Sequence, residues 1–263
     1  MVRTADPALF KDLQFFACEP ELVTAPEANR TITVEPWRNR FRVHEDGAEP
    51  VELLGTRAVV DHVHRRIYST SVEARPQAGL LHAASMRRHG RRVLFAGREA
   101  AGKTTLALRL VQAGYEFEGD EHVFMEADGV VARPRGARLK ETSLSLLGEA
   151  ADVLARAPYY ADDFGQKVYN VDPRSIGGTW RIQKGAADCL ILLTPNHGGY
   201  SSLRPMAPLA LSQALLPELS RREARPGASL ATIARLVSNA KGFDLSLGDY
   251  ETAIKCIEAA LGD

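Results

Sequence analysis

The chain has 263 residues, of which 45% are hydrophobic and 25% are charged, and this composition excludes disordered and fibrous proteins. Its 33 basic residues balance 33 acidic ones, so its net charge gives no reason to expect general binding to nucleic acid or to a membrane surface. The three cysteines, Cys18, Cys189 and Cys256, lie far apart without metal-ligand spacing, which predicts reduced thiols. No apolar signal core or membrane-spanning run is found, so the cytoplasm is the expected location.

The first part of the chain, residues 1–78, is predicted to be a small β-rich region. Short runs typical of strands are separated there by turn residues, and these runs cover residues 31–34, 41–43, 58–60 and 66–69. From residue 79 to residue 263 the pattern changes to strands that alternate with helices. This alternation predicts an α/β domain.

The predicted α/β domain begins with a strand at residues 92–96, a glycine-rich turn and a helix. A second strand at residues 121–125 leads into a hairpin turn at Asp128 and Gly129. A strand buried on both faces is predicted at residues 187–194. Three helices are predicted to follow, at residues 212–218, 229–240 and 249–261.

The glycine-rich turn reads GREAAGKTT over residues 97–105 and matches G-x-x-x-x-G-K-[ST] between a predicted strand and a predicted helix. Glycines let backbone N–H groups surround phosphate oxygens, and a helix N-terminus adds partial positive charge. Lys103 would reach the β and γ phosphates, and the Thr104 hydroxyl would bind Mg²⁺. The pattern therefore predicts ATP and Mg²⁺ as cofactors; the alternative is a β–α turn that matches by chance. The expected nucleotide contacts are Gly97, Ala100, Ala101, Gly102, Lys103, Thr104 and Thr105.

Two acidic residues, Asp120 and Glu121, follow Lys103 by 17 and 18 positions. Such acids can bind Mg²⁺ or accept a proton from an attacking hydroxyl group. They stand before an apolar strand, whereas the second acid of most P-loop switches and motors follows one. The alternative for Asp120 is an ordinary solvated turn residue.

A basic run lies further along the chain and contains Arg133, Arg135, Arg138 and Lys140. Alternate positions of a strand share one face, and a transferring phosphoryl group needs positive charge around it. We expect at least one of the four to reach the site and select Arg135 and Lys140 as substrate-binding residues. A solvated strand edge is the alternative.

These motifs resemble those of the HPr kinase/phosphorylase family, whose members phosphorylate a serine and share a core with ATP-dependent phosphoenolpyruvate carboxykinase. In that family a histidine precedes the loop and two adjacent acids follow it. Here His82 stands 21 residues before Lys103, and residues 113–121 read AGYEFEGDE. The phrase RPRGARLK at residues 133–140 is similar to one in small relatives, including kinases that modify lasso-peptide precursors.

The resemblance is good over residues 80–145 and loose over 185–262. It implies an α/β fold with a P-loop core of the HPr kinase/phosphoenolpyruvate carboxykinase type and a mixed sheet. It also implies that Asp120 is the catalytic acid/base, that Glu121 assists the metal or the phosphates, and that His82 lies near the phosphates; a core histidine is the alternative for His82. Glu121 stands where the family usually has a second Asp, and the loop lacks the usual Ser-Gly. No segment for recognising HPr was identified, so HPr is not the expected acceptor.

The sequence thus predicts an ATP- and Mg²⁺-dependent kinase that phosphorylates a hydroxyl group of a small molecule or of a peptide or protein serine. A non-catalytic nucleotide-binding regulator in a biosynthetic complex is the alternative. A decarboxylase-like enzyme is disfavoured, because the sequence shows no further metal-ligand set. The expected partners are a nucleotide and the hydroxyl acceptor, without nucleic acid or membrane, and the family's hexamers allow a homo-oligomer.

Overall fold

The secondary structure comes from a computed structural model, which describes residues 2–16, 31–162, 164–220 and 226–262. The strands are β1 (Val2–Thr4), β2 (Ile32–Trp37), β3 (Arg40–Glu45), β4 (Val51–Leu53), β5 (Gly79–Leu81), β6 (Ala83–Arg88), β7 (Arg91–Ala96), β8 (Glu116–Gly119), β9 (Val123–Glu126), β10 (Gly129–Ala132), β11 (Ala137–Lys140), β12 (Tyr159–Ala161), β13 (Lys167–Val171), β14 (Cys189–Pro195), β15 (Ser202–Pro205) and β16 (Lys241–Leu247). The α-helices are α1 (Pro7–Leu13), α2 (Gly55–Glu73), α3 (Lys103–Gln112), α4 (Ala151–Leu154), α5 (Pro208–Leu215), α6 (Pro226–Asn239) and α7 (Tyr250–Leu261). Short 3₁₀ helices cover Gln14–Phe16, Glu141–Ala150, Pro173–Ile176 and Leu216–Glu218.

A six-stranded sheet with the order β15-β16-β14-β7-β6-β8 forms the centre of the α/β part. Strand β14 pairs in parallel with β7 and β16, whereas β6, β8 and β15 each pair antiparallel with a neighbour, so the sheet is mixed, as predicted. Side chains of a strand alternate between its faces. Phe95 of β7 accordingly packs in the same cluster as residues of α3 and α7, and Leu94 packs with residues of α5 and α6. The sheet is therefore covered by helices on both faces.

Several loops that precede or follow strands meet at one edge of this sheet. Strand β6 is antiparallel to both β7 and β8, so the carboxyl ends of β7 and β8 lie at the same edge as the start of β6. Ala83 is paired with Ala96, which places His82 beside the start of the glycine-rich loop. Strand β14 runs parallel to β7 and ends at this edge too. This topology brings together segments that are distant in sequence.

The leading part of the chain contains a four-stranded sheet, β1-β2-β3-β4, and helices α1 and α2. The predicted strands at residues 31–34 and 41–43 are confirmed within β2 and β3. The predicted strands at 58–60 and 66–69 are wrong, because both lie in the helix α2. Val59 and Val63 are buried one turn apart, with Ile67 packed against the same cluster, so packing on one helix face overrides the β propensity of these residues.

Strand β8 was not predicted, and the predicted strand at 121–125 begins only at Val123. Glu121 has a left-handed backbone with φ of 82°, which separates the two strands. Strand β8 contains two glutamates, so it lacks the apolar pattern by which a buried strand is predicted. One of them, Glu118, is fully buried. Glu118 accepts hydrogen bonds from Arg92 at 2.7 and 2.9 Å and from Ser85 at 2.5 Å. The buried carboxylate is thus paired, which is the condition for a charge in a core.

The other predicted elements are confirmed with small shifts. The hairpin turn separates β9 from β10, and the strand at 187–194 is β14. The helices are α5 followed by a 3₁₀ turn, α6, and α7, whose first turn is capped by the Asp249 side chain. Cys189 and Cys256 are free thiols, and Cys18 lies outside the described residues. In the described part of the chain, no helix combines the length and the hydrophobicity that a membrane crossing requires.

Candidate active site

A cleft of about 750 Å³ opens at the sheet edge where β7 and β8 end. It is lined by most of the residues selected from the sequence: His82, Ala100, Ala101, Gly102, Lys103, Thr104, Thr105, Asp120, Glu121, Arg135 and Lys140. Gly97 does not line the cleft; it lies beneath the loop, and its carbonyl oxygen faces Lys103. The fold therefore places in one cavity residues that come from four separate parts of the chain.

The shape of the loop between β7 and α3 depends on its backbone conformation and on hydrogen bonds from Lys103. Ala100 and Gly102 have positive φ angles of 61° and 94°. The positive φ of Gly102 favours glycine, and a Cβ atom there would also lie 2.9 Å from a Leu247 methyl group, which would have to move. The Lys103 ammonium group donates hydrogen bonds to the carbonyl oxygens of Gly97 at 2.5 Å and Arg98 at 3.0 Å.

Helix α3 begins at Lys103 without a side-chain cap. The first N–H groups of a helix have no partner within the helix, and they carry the positive end of its dipole. Because Lys103, Thr104 and Thr105 line the cleft, an anion can bind at this helix end. Burial lowers the pKa of Lys103, while Glu218 and Asp120 counteract this effect.

Asp120 is a carboxylate in direct contact with the start of α3. It follows β8 directly, is only 2% exposed, and accepts a 2.8 Å hydrogen bond from the Thr104 hydroxyl. The sequence pattern placed Asp120 before an apolar strand and not after one. The structure corrects this, because Asp120 directly follows strand β8. A Cβ atom on Gly119 would lie 2.8 Å from the Arg133 carbonyl oxygen, so only glycine permits the close approach that sets the position of Asp120.

Glu121 is oriented differently from Asp120. It forms an ion pair with Arg135, whose side chain is only 2% exposed. Burial alone would raise the pKa of Glu121, but Arg135, His122, Arg138 and Arg133 outweigh it and hold this pKa at about 2. Glu121 therefore stays ionised at neutral pH, and its ion pair holds the Arg135 side chain in position.

The other cations of the basic run differ in their pairing, and of these Arg138 and Lys140 line the cleft. Arg133 contacts His64 at 2.8 Å and His122 at 3.5 Å, and its guanidinium lies 4.2 Å from the centre of the Tyr68 ring. Arg138 lies 5.1 Å from the centre of the Tyr160 ring. Lys140 is exposed and lies 3.8 Å from Glu99. Burial lowers the pKa of Arg133 to about 10 and also lowers the pKa of Arg138, and the neighbouring Arg135 adds to both shifts.

His82 lines the cleft and contacts a residue, Glu218, that the sequence analysis did not select. Its Nδ1 atom lies 3.2 Å from the carboxylate of Glu218, which belongs to the 3₁₀ turn after α5. The backbone N–H of His82 also donates to the Glu218 carbonyl oxygen at 2.8 Å. His82 is thus anchored at the cleft and is only partly buried, unlike a core histidine.

Sequence reasoning missed Glu218 and Tyr160 and did not select Arg138 from the basic run, although Arg138 and Tyr160 both line the cleft. No motif marks Glu218 or Tyr160, because topology alone brings them to the site. Arg138 had a signal: it stands two residues before Lys140 on β11, where alternate side chains share a face. His197, which follows β14, also lines the cleft.

The cleft offers few side-chain oxygens that could bind a metal ion. This suits Mg²⁺ that is bound partly by a polyphosphate, and it does not suit a metal ion bound by protein ligands alone. Among the described residues, no group of three or more His, Cys, Asp and Glu side chains is placed to hold a metal ion. Mg²⁺ usually takes one or two protein oxygens together with phosphates and water. The adjoining Thr104 hydroxyl and Asp120 carboxylate fit this requirement, whereas Glu121 is engaged by Arg135.

No protein-family model and no curated protein sequence matches the chain. Among solved structures, the chain is similar to the structure of the Hpr(Ser) kinase/phosphatase from Coxiella burnetii, with 12% sequence identity and a TM-score of 0.34. The match covers 70% of this chain and 88% of the other. A likeness of this size carries no argument about activity, so the functional proposal depends on the cleft itself.

Proposed function

We propose that the protein is an ATP-dependent kinase that transfers the γ-phosphoryl group to a hydroxyl acceptor, with Asp120 as general base. The observation that carries the proposal is the pairing of an uncapped helix start with a buried carboxylate, joined by the 2.8 Å contact between Thr104 and Asp120. Phosphoryl transfer depends mainly on positioning and on neutralising charge, and the cleft supplies groups for both.

The loop residues would hold the nucleotide. The backbone N–H groups at the start of α3 would donate to phosphate oxygens, and the Lys103 ammonium would leave the carbonyl oxygens of Gly97 and Arg98 to contact the β and γ phosphates. Thr104 and Asp120 would hold Mg²⁺, which supplies charge neutralisation between the phosphates when it is bound. Lys103 is already within the cleft, so only its side chain needs to move.

The acceptor would enter opposite the loop, with its hydroxyl group next to Asp120. The hydroxyl oxygen forms a bond to the γ phosphorus, the bond from that phosphorus to the bridging oxygen breaks, and ADP leaves. The hydroxyl proton passes to the Asp120 carboxylate. Arg135, fixed by Glu121, lines the same cleft and would stabilise the charge of the transferring group.

The replacement Asp120→Asn tests this assignment, because it keeps the size of the side chain and removes its basicity. We expect MgATP binding, measured by calorimetry, to weaken but remain measurable, because Thr104 and the loop still contact MgATP, and acceptor-dependent ADP formation to fall by about 10²–10⁴-fold. A metal-ligand role alone would be revealed by recovery of the rate at high Mg²⁺, so the rate is measured over a range of Mg²⁺ concentrations.

Glu121→Gln is the matched control, since it neutralises the adjacent carboxylate. It should leave a base in place and reduce the rate less than Asp120→Asn does. Equal ADP formation by wild type and Asp120→Asn would refute the base assignment. MgATP binding without ADP formation under any acceptor condition would instead identify a nucleotide-binding regulator.

A further inference from the structure

We infer that the acceptor carries an anionic group, a carboxylate or a phosphate, which binds Arg138 at the far side of the cleft from the glycine-rich loop. This inference rests on the proposed kinase function and concerns the class of its acceptor. It follows from where Arg138 lies and from its lack of an anionic partner.

Arg138 stands where the cleft meets a second cavity. That cavity has a volume of about 300 Å³, and Arg138 and Tyr160 line both spaces. None of the loop residues 97–105 lines the second cavity. Arg138 therefore lies beyond the region in which the triphosphate would bind, on the side from which an acceptor would extend.

The three arginines of the basic run differ in how their charge is balanced. Arg135 is paired with Glu121, and Arg133 contacts two histidine rings and Tyr68. Arg138, in contrast, forms no hydrogen bond and no ion pair with any described residue, and its buried Nε atom has no partner. A guanidinium group offers five N–H donors, so Arg138 keeps nearly all of its binding capacity.

The surroundings of Arg138 add positive charge. Arg135 and Arg138 repel each other, whereas Asp61 and Glu121 attract Arg138 without approaching within 4 Å. Glu121 is already engaged by Arg135, so the cluster of Arg133, Arg135 and Arg138 holds more positive than negative charge. A half-buried guanidinium group without an anionic partner is energetically unfavourable. A carboxylate or phosphate that accepts two of its hydrogen bonds would reduce this energetic cost.

Tyr160 completes the binding geometry. Its ring lies against the Arg138 guanidinium, and such stacking restricts the guanidinium plane while leaving its edge available. Arg57 also lies 5.8 Å from the centre of the same ring and is hydrogen-bonded to the Ala161 carbonyl oxygen. The contact with Tyr160 thus holds the Arg138 guanidinium where the cleft meets the second cavity.

Four three-carbon alcohols with a common diol test the inference: glycerol 3-phosphate, glycerate, glycerol and 3-amino-1,2-propanediol. ADP formation is measured with saturating MgATP, and binding of the same compounds is measured by calorimetry with and without a non-hydrolysable MgATP analogue. We expect one or both anionic compounds to exceed glycerol by at least about tenfold, as one charged hydrogen-bonding contact provides. The phosphate and carboxylate members distinguish the two sources of negative charge.

Arg138→Gln should abolish this preference and leave the KM for MgATP unchanged, and Arg138→Lys should restore part of it. Arg204→Gln, at an exposed position of β15 that lines neither cavity, is the matched control and should keep the preference. Equal responses to anionic, neutral and cationic compounds, including no response to any, would overturn the inference. A rise in the KM for MgATP in Arg138→Gln would also overturn it and assign Arg138 to the nucleotide. If MgATP does not bind wild type, the kinase proposal fails, and the nucleotide-free binding series still decides whether Arg138 selects anions.

Discussion

Two polar regions of this molecule contain arginines and carboxylates in different balance. Beside β8, Arg92 and Glu118 form a closed, buried network with Ser85, in which Arg92 also donates to the carbonyl oxygens of Gln183 and Ala186. In the cleft, Lys103 donates its hydrogen bonds to carbonyl oxygens, and within the described part of the chain Arg138 has no anionic partner. The closed network stabilises the fold, whereas the incomplete pairing in the cleft leaves groups available for a ligand. Substitutions in the two regions should therefore affect different properties.

Among the substitutions that compare the two regions, the largest effect is expected in the cleft, from Lys103→Met. This change removes the ammonium group assigned to the phosphates, and the rate of ADP formation should fall by about 10²–10³-fold or more. Steady-state kinetics and thermal unfolding are measured on the same preparation. A large loss of stability with an unchanged rate would reverse the comparison between the two regions.

The largest loss of stability is expected in the closed network, from Glu118→Ala. It leaves the buried Arg92 without its carboxylate, and the free energy of unfolding should fall by about 3–5 kcal/mol. Denaturant unfolding measures this change. The double variant Arg92→Met with Glu118→Leu should recover much of the loss, because it removes both charges; a double variant less stable than Glu118→Ala would contradict the explanation.

A pH-dependent effect is expected beside the cleft, at His122. Burial lowers the pKa of His122 to about 4, and Arg133 and Arg135 add to this effect while Glu121 opposes it. The unfolded chain takes up the proton near the ordinary value of 6.5, so the contribution of His122 to stability is complete above that pH and is lost as the pH falls towards 4. The resulting decrease in the free energy of unfolding is at most about 3.5 kcal/mol.

Urea unfolding between pH 7 and pH 4 measures this dependence. His122→Gln should make the profile less steep without flattening it, because burial also lowers the pKa of His64, to about 2. The exposed His197→Gln should leave the profile as in wild type. Identical slopes for wild type and His122→Gln would show that His122 is not held neutral by its surroundings.

The smallest effect is expected at the cleft entrance, from Glu99→Gln. Glu99 is highly exposed and faces Lys140 at 3.8 Å, so stability should change by no more than about 0.5 kcal/mol. Removing a negative charge near the phosphates should raise the affinity for MgATP by about two- to fivefold at low salt. Calorimetry at low and high salt checks this, and weaker binding by Glu99→Gln would show that the contact with Lys140 is needed.

The sequence predicted the local parts of the site and missed those created by tertiary contacts. The loop, α3 and the two acids follow from a short motif, because phosphate binding needs fixed residue types at fixed spacing. Helix α2 was mistaken for strands because its β-branched residues suggested strands, although Val59, Val63 and Ile67 recur every four positions. Strand β8 was missed because it contains Glu118, a residue type that is rarely buried. Glu118 can be buried here because it pairs with Arg92, which lies on another strand. Glu218 contacts the cleft residue His82, and Tyr160 lines the cleft. The fold alone brings both to these positions, and no local pattern marks them.

The most direct test is a crystal structure with Mg²⁺ and a non-hydrolysable ATP analogue. It should show the β and γ phosphates on the N–H groups at the start of α3 and on Lys103, with Mg²⁺ beside Thr104 and the Asp120 carboxylate facing the space in front of the γ phosphate. A nucleotide bound elsewhere, or an Asp120 carboxylate turned away from the γ phosphate beyond the reach of any hydroxyl group, would contradict the account.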